Sequence, residues 1–118
     1  MAVKIYTAQE GLIAVLDGEI DHHCAQDLRE KIDQAIMENQ PELLILDFQQ
    51  VTFMDSSGIG LIMGRYKQMC TYSGNVIIRN PPLHIKRVMK LSGIERIAKI
   101  ETIKIWKEEN KTWIHVIK

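Results

Sequence analysis

The run Leu43-Leu44-Ile45-Leu46 constrains the architecture more than any other stretch of this chain. Four consecutive apolar residues suit a strand buried on both faces, because a strand with one wet face would alternate apolar and polar side chains. Such a strand lies in the middle of a sheet and needs other elements to cover it. The surrounding sequence supplies them by alternating strand and helix patterns, which predicts an α/β layer structure.

Residues 3–7 and 11–17 flank Gln9-Glu10-Gly11 with alternating apolar positions and read as a β-hairpin. After Gly18-Glu19-Ile20, Asp21 is placed to cap a helix. Leu28, Ile32, Ala35 and Ile36 of that helix share one face, and it ends near Asn39, before Pro41. A second helix, about 57–72, follows the apolar run, with Ile59, Ile62, Met63, Tyr66, Met69 and Cys70 inward and Arg65, Lys67 and Gln68 outward. Ser73-Gly74-Asn75 stops it. Val76-Ile77-Ile78 reads as another buried strand, and Asn80-Pro81-Pro82 opens a third helix with Ile85, Val88 and Met89 facing in. Ile103, Ile105, Trp113, His115 and Ile117 then alternate around a polar stretch. They predict a terminal β-hairpin turning at Glu109-Asn110, with Trp106 across from Trp113, and a final amphipathic helix is the other reading.

At 118 residues, with 46% hydrophobic and 25% charged content, the chain has the size and balance of one domain with its own core. Fifteen basic and fifteen acidic residues cancel, so no net field favours nucleic acid or an anionic membrane. The start Met1-Ala2-Val3-Lys4 lacks a signal-peptide pattern and no apolar run approaches a membrane span, which makes the cytoplasm the expected location. Cys24 and Cys70 stand in no ligand-spaced pair and read as small buried residues rather than halves of a disulfide or metal site.

Function concentrates at Phe53-Met54-Asp55-Ser56-Ser57-Gly58-Ile59-Gly60, where the buried strand turns into the second helix. Hydroxyls cap free N–H groups at a helix start, and the helix dipole favours added negative charge there. Serine fills a cap so often that position alone would make Ser56 no more than that. Yet the stretch also carries a second hydroxyl at Ser57, the flanking Asp55 and glycines at 58, 60 and 64. Each interior glycine costs about 0.5–1 kcal/mol against alanine, so something needs close access. Gly60 and Gly64 share a helix face, which fits a partner or tight packing on the sheet equally. Phosphorylation of a serine here is the leading expectation, with Asp55 orienting the loop or touching a kinase.

Elsewhere the plain readings stand. His22-His23-Cys24 would diverge on a helix and fit surface or partner contact better than one metal ion. Lys86, Arg87 and Lys90 form a basic strip best read as a solvated face. A small-ligand or nucleotide module at the same helix start is a rival, but no G-x-x-x-x-G-K pattern supports it. No base and nucleophile pair presents itself, so the chain is read as non-enzymatic.

Three stretches carry a family resemblance: Gly18-Glu19-Ile20-Asp21-His22-His23, Phe53 to Gly60, and Met89-Lys90-Leu91-Ser92-Gly93-Ile94. Together they resemble the STAS-domain anti-sigma factor antagonists. The continuation Leu61-Ile62-Met63-Gly64-Arg65-Tyr66-Lys67-Gln68 is closer to the sporulation branch than to the general-stress or transporter-linked ones. The resemblance covers about residues 3–100, within one STAS domain over 1–118, and leaves 101–118 divergent, since a closing helix would be expected there. It implies an α/β fold, a mixed sheet with helices packed on one side, to which this chain adds the C-terminal hairpin.

The resemblance also implies a phosphorylatable serine directly after the aspartate, here Ser56. An anti-sigma factor serine kinase would be the partner. The unphosphorylated antagonist would bind that kinase and release the sigma factor, the kinase would phosphorylate it, and a serine phosphatase would restore it. No cofactor is implied for this chain, because ATP and magnesium would sit on the kinase. Glu19, Asp21 and His22 are implied neighbours of the phosphorylation loop, joining Asp55, Ser56, Ser57, Gly58 and Gly60 as partner-binding residues. An antagonist in a stress-signalling circuit other than sporulation is the rival within the family.

Overall fold

The computed structural model describes residues 2–109 and 111–115. Five strands form one mixed sheet in the order β1-β2-β3-β4-β5: β1 (Ala2–Ala8), β2 (Gly11–Ile20), β3 (Leu43–Met54), β4 (Asn75–Arg79) and β5 (Lys99–Glu101). The first pair is an antiparallel hairpin, and each later neighbour runs parallel to the one before it. Three helices make the connections that parallel strands require: α1 (Ala25–Asn39), α2 (Ser56–Cys70) and α3 (Leu83–Leu91).

The apolar run lies at the sheet's centre, in the first third of β3, and both its faces are buried. Leu44, Leu46 and Phe48 join Leu12, Ala14, Leu16, Val76 and Ile78 beneath the helices. Ile45 joins Ile13 and Val15 in a smaller cluster built from the alternate positions of the same strands. Helix α1 buries Leu28, Ile32, Ala35 and Ile36, the predicted face, and α3 buries Ile85 and Met89 with Val88 packed alongside.

Helix α2 turns a different face inward from the one its periodicity suggests. Leu61, Ile62 and Met69 are buried, but so is Arg65, whereas Met63 and Cys70 are exposed. The cause is an ion pair between elements: Arg65 Nε lies 2.8 Å from Asp33 Oδ1 on α1, drawing the arginine stem into the α1–α2 seam. Burial pushes the guanidinium below its ordinary pKa, and Asp33 opposes that shift.

A second buried arginine fixes the sheet's far edge. Arg79 on β4 donates from Nε to Glu101 Oε1 at 3.0 Å and from Nη2 to Glu10 Oε2 at 3.2 Å, tying the β1–β2 turn to β5. Next to it, Asn80 has φ 56° and its Oδ1 accepts from Ile103 N at 2.7 Å, which directs the chain away from the sheet. The chain then forms the expected hairpin, β6 (Lys104–Lys107) antiparallel to β7 (Thr112–His115), with Trp106 in register with Trp113. Asn110 and Ile117, expected in its turn and second strand, lie outside the described residues.

Candidate phosphoserine switch site

Parallel pairing brings the carboxyl ends of β2 and β3 together, Glu19 beside Phe53 and Ile20 beside Met54. Register shifts along β2 at Asp17 and Glu19 bracket Gly18, whose φ of 100° suits a residue without a Cβ. Beyond the strands, Asp55 N donates to Ile20 O at 3.2 Å, so the β2–α1 and β3–α2 junctions touch. Glu19, Asp21 and His22 therefore sit next to the Asp55 loop.

At the second junction the cap of α2 is Asp55. Its backbone is extended, and its Oδ1 accepts from Ser57 N at 2.8 Å. Ser56 is thereby relieved of capping. It occupies the first helical position, is exposed, and its hydroxyl makes no hydrogen bond among the described residues. Ser57 is half-buried beside it.

Gly58 is buried, and a Cβ there would run into the side chain of Met54. Gly60 and Gly64 have open space where a Cβ would stand, so tight packing on the sheet does not explain them. Ser56, Gly60, Met63 and Lys67 instead share an exposed face along α2, bare at Gly60 and bearing the 43% exposed Met63.

The first junction is built differently. Asp21 does not cap α1. Its Oδ1 accepts from His23 N at 3.0 Å and Cys24 N at 3.2 Å, closing a turn before the helix. The N-cap position falls to Cys24, whose side chain makes no cap hydrogen bond and instead donates from Sγ to Glu19 O at 3.2 Å. Desolvation raises the Asp21 pKa, but hydrogen bonds from Cys24 and His23, with the His23 charge, outweigh it and hold the carboxyl below its ordinary 3.8. The imidazoles of His22 and His23 lie 4.0 Å apart, both residues exposed.

Between the two helix starts runs a cleft of about 380 Å³, with His22, Gln26 and Arg29 on the α1 side and Ser57, Gly60 and Leu61 on the α2 side. Arg29 carries no signal of its own in the sequence. It is exposed, and only the pairing of β2 with β3 brings it opposite Ser57. Phe53, 49% exposed at the end of β3, stands out in the sequence only as the first residue of the motif, although a large apolar residue just before a polar loop is itself a contact signal.

A sheet of this order with helices over one face, and a serine-bearing helix start at its carboxyl end, defines a class. A family model for the STAS domain matches residues 2–109, and the chain belongs to that family. Its place there is among the anti-sigma factor antagonists. It is 41% identical over 91 residues to the anti-sigma F factor antagonist of Paenibacillus polymyxa, covering 75% of this chain and 76% of the relative. The unphosphorylated form of the anti-sigma factor antagonist SpoIIAA superposes with a TM-score of 0.74 and 30% identity, covering 92% of this chain and 91% of that one. The phosphorylated form of the Bacillus cell fate determinant SpoIIAA gives 0.66 and 31%, covering 92% and 95%.

Proposed function

We propose that this protein is a cytoplasmic, non-enzymatic anti-anti-sigma factor acting in sporulation, whose unphosphorylated form binds an anti-sigma factor serine kinase and frees the sigma factor. Phosphorylation of Ser56 by that kinase turns the interaction off, and a serine phosphatase restores it. One observation carries the reading: with Asp55 serving as the cap, Ser56 is exposed at the helix start and its hydroxyl is uncommitted among the described residues.

A phosphate on Ser56 adds about −1.5 to −2 charges beside Asp55 and near Glu19 and Asp21, on a surface the kinase would otherwise bury. Like-charge repulsion and desolvation then work against the complex. Within this chain the N-terminus of α2 favours the same phosphate, so the fold tolerates what the interface does not. Support for a change of surface rather than of shape comes from SpoIIAA, since this chain matches both its unphosphorylated and its phosphorylated forms. The exposed face from Gly60 through Met63 to Lys67, with Phe53 and the Asp21 turn, offers the kinase a docking face around the serine.

The test is calorimetric titration of the anti-sigma kinase with the unphosphorylated protein and with Ser56→Glu. Binding weakened by at least roughly tenfold in the variant, a loss of about 1.4 kcal/mol, is expected. Equal affinities would refute the switch.

A further inference from the structure

The chain's net charge is zero, but its helices do not share it evenly. On α1, Glu30, Gln34 and Glu38 are spaced four apart and exposed, forming one ridge along the middle and C-terminal turns. Beside the ridge Met37 is 64% exposed, so Glu30, Gln34, Met37 and Glu38 make one open face of α1 with an apolar centre. Neither glutamate has a cationic partner among the described residues. Glu30 accepts from Gln26 at 3.2 Å and Glu38 from Gln34 at 2.9 Å.

On α3 the complementary pattern occurs. Leu83, Arg87 and Leu91 are again spaced four apart, with the leucines 64% and 91% exposed, and Lys86 and Lys90 flank them. Of these cations only Lys90 meets a carboxylate among the described residues, Glu95, at a loose 3.9 Å.

We propose that these two surfaces bind each other between copies of this chain, the α3 ridge of one molecule packing on the Met37 face of α1 of the next. The occupant is set by complementarity: an acidic ridge around an exposed methionine matches a basic ridge bearing two exposed leucines, at the same four-residue spacing. Ridges of that spacing interdigitate readily between helices. The two surfaces belong to different parts of the helical layer, since α1 rests on β1, β2 and α2 whereas α3 rests on β3 and the 3-10 turn Ile94–Arg96. The contact is therefore heterologous, head to tail, and extends into short chains unless it closes into a ring. Two short helix faces bury less than the roughly 1,200 Å² of a stable interface, so the association is weak, and its exposed ion pairs make it salt-sensitive. It leaves the Ser56 junction at the start of α2 uncovered.

Sedimentation equilibrium of the full chain over a concentration series, at low and high salt, tests this. The weight-average mass is expected to climb past that of a dimer at low salt and fall back toward the monomer at high salt. Two charge-reversed variants separate this contact from any other: Arg87→Glu with Lys90→Glu, and Glu30→Lys with Glu38→Lys. All four positions lie on the outer faces of their helices, and circular dichroism checks that both variants fold. Each variant alone is expected to stay monomeric. A mixture of the two, which also carries a charge-swapped version of the same contact, is expected to regain association. A wild type that remains monomeric throughout, variants that associate as the wild type does, or a mixture that fails to associate would each overturn the proposal.

Discussion

The two strand-to-helix junctions at the sheet's carboxyl end begin alike and finish differently. Each leads from a buried strand through an aspartate toward a helix, Asp21 after β2 and Asp55 after β3. Asp21 spends its carboxylate on a turn, and α1 starts only at Ala25. Asp55 caps its helix directly, so the next residue is already helical and its side chain is exposed and, among the described residues, unengaged. Only the second junction carries serines, and the Asp55 carboxylate, by taking the cap, leaves the Ser56 hydroxyl out of that role. The other junction contributes a rigid acidic neighbour.

That contrast can be broken in graded ways. The largest effect is expected from Gly58→Val, which forces a branched side chain into Met54 beneath the start of α2 and should cost about 3 kcal/mol by urea denaturation. Next comes Asp33→Ala, which strands Arg65 in the seam that holds the two helices together. A loss of about 2 kcal/mol is expected, moderated because Asp33 is one-third exposed. Removing the cap with Asp55→Ala should cost about 1 kcal/mol. Gly60→Ala, two residues beyond Gly58 but facing open space, should instead stabilise by about 0.5–1 kcal/mol while weakening kinase binding if the bare surface at Gly60 is part of a docking face.

The smallest change is expected from Asp21→Ala, whose turn is exposed. A midpoint shift as large as that of Asp55→Ala would show that the two junctions are energetically equivalent after all. Because the Asp21 pKa is held below its ordinary value, its contribution is complete above pH 3.8 and is lost only as the pH falls through the lower folded-state value. A titration of the Asp21 carboxyl by NMR should therefore give a midpoint under 3.8.

Much of the fold is legible in the sequence. The apolar run names the central strand, and the spacing of Leu28, Ile32, Ala35 and Ile36 gives the buried face of α1, because packing against a sheet is what imposes that period. What the sequence leaves out depends on contacts between distant residues. Arg65 reads as a surface residue until Asp33 is known to lie across the seam. The three-residue strand β5 is too short to carry a period and exists because Arg79 and Asn80 hold Glu101 in place. At the candidate site, the sequence points to Asp21 as one cap and to Ser56 as the other, whereas the structure gives the α2 cap to Asp55 and leaves α1 without a side-chain cap. Only the extra turn at residues 22–24, closed by the Asp21 carboxylate on His23 N and Cys24 N, sets Asp21 apart from Asp55, and the Cys24 thiol bonded to Glu19 O supports it.

The most direct test is intact-mass spectrometry with site mapping after incubation with the anti-sigma kinase and Mg-ATP, for the wild type, Ser56→Ala and Ser57→Ala. One phosphate on the wild type and on Ser57→Ala, mapped to Ser56 and absent from Ser56→Ala, is the predicted result. Modification at Ser57, or none at all with a kinase shown to be active, would contradict the assignment of the exposed, uncommitted serine as the switch.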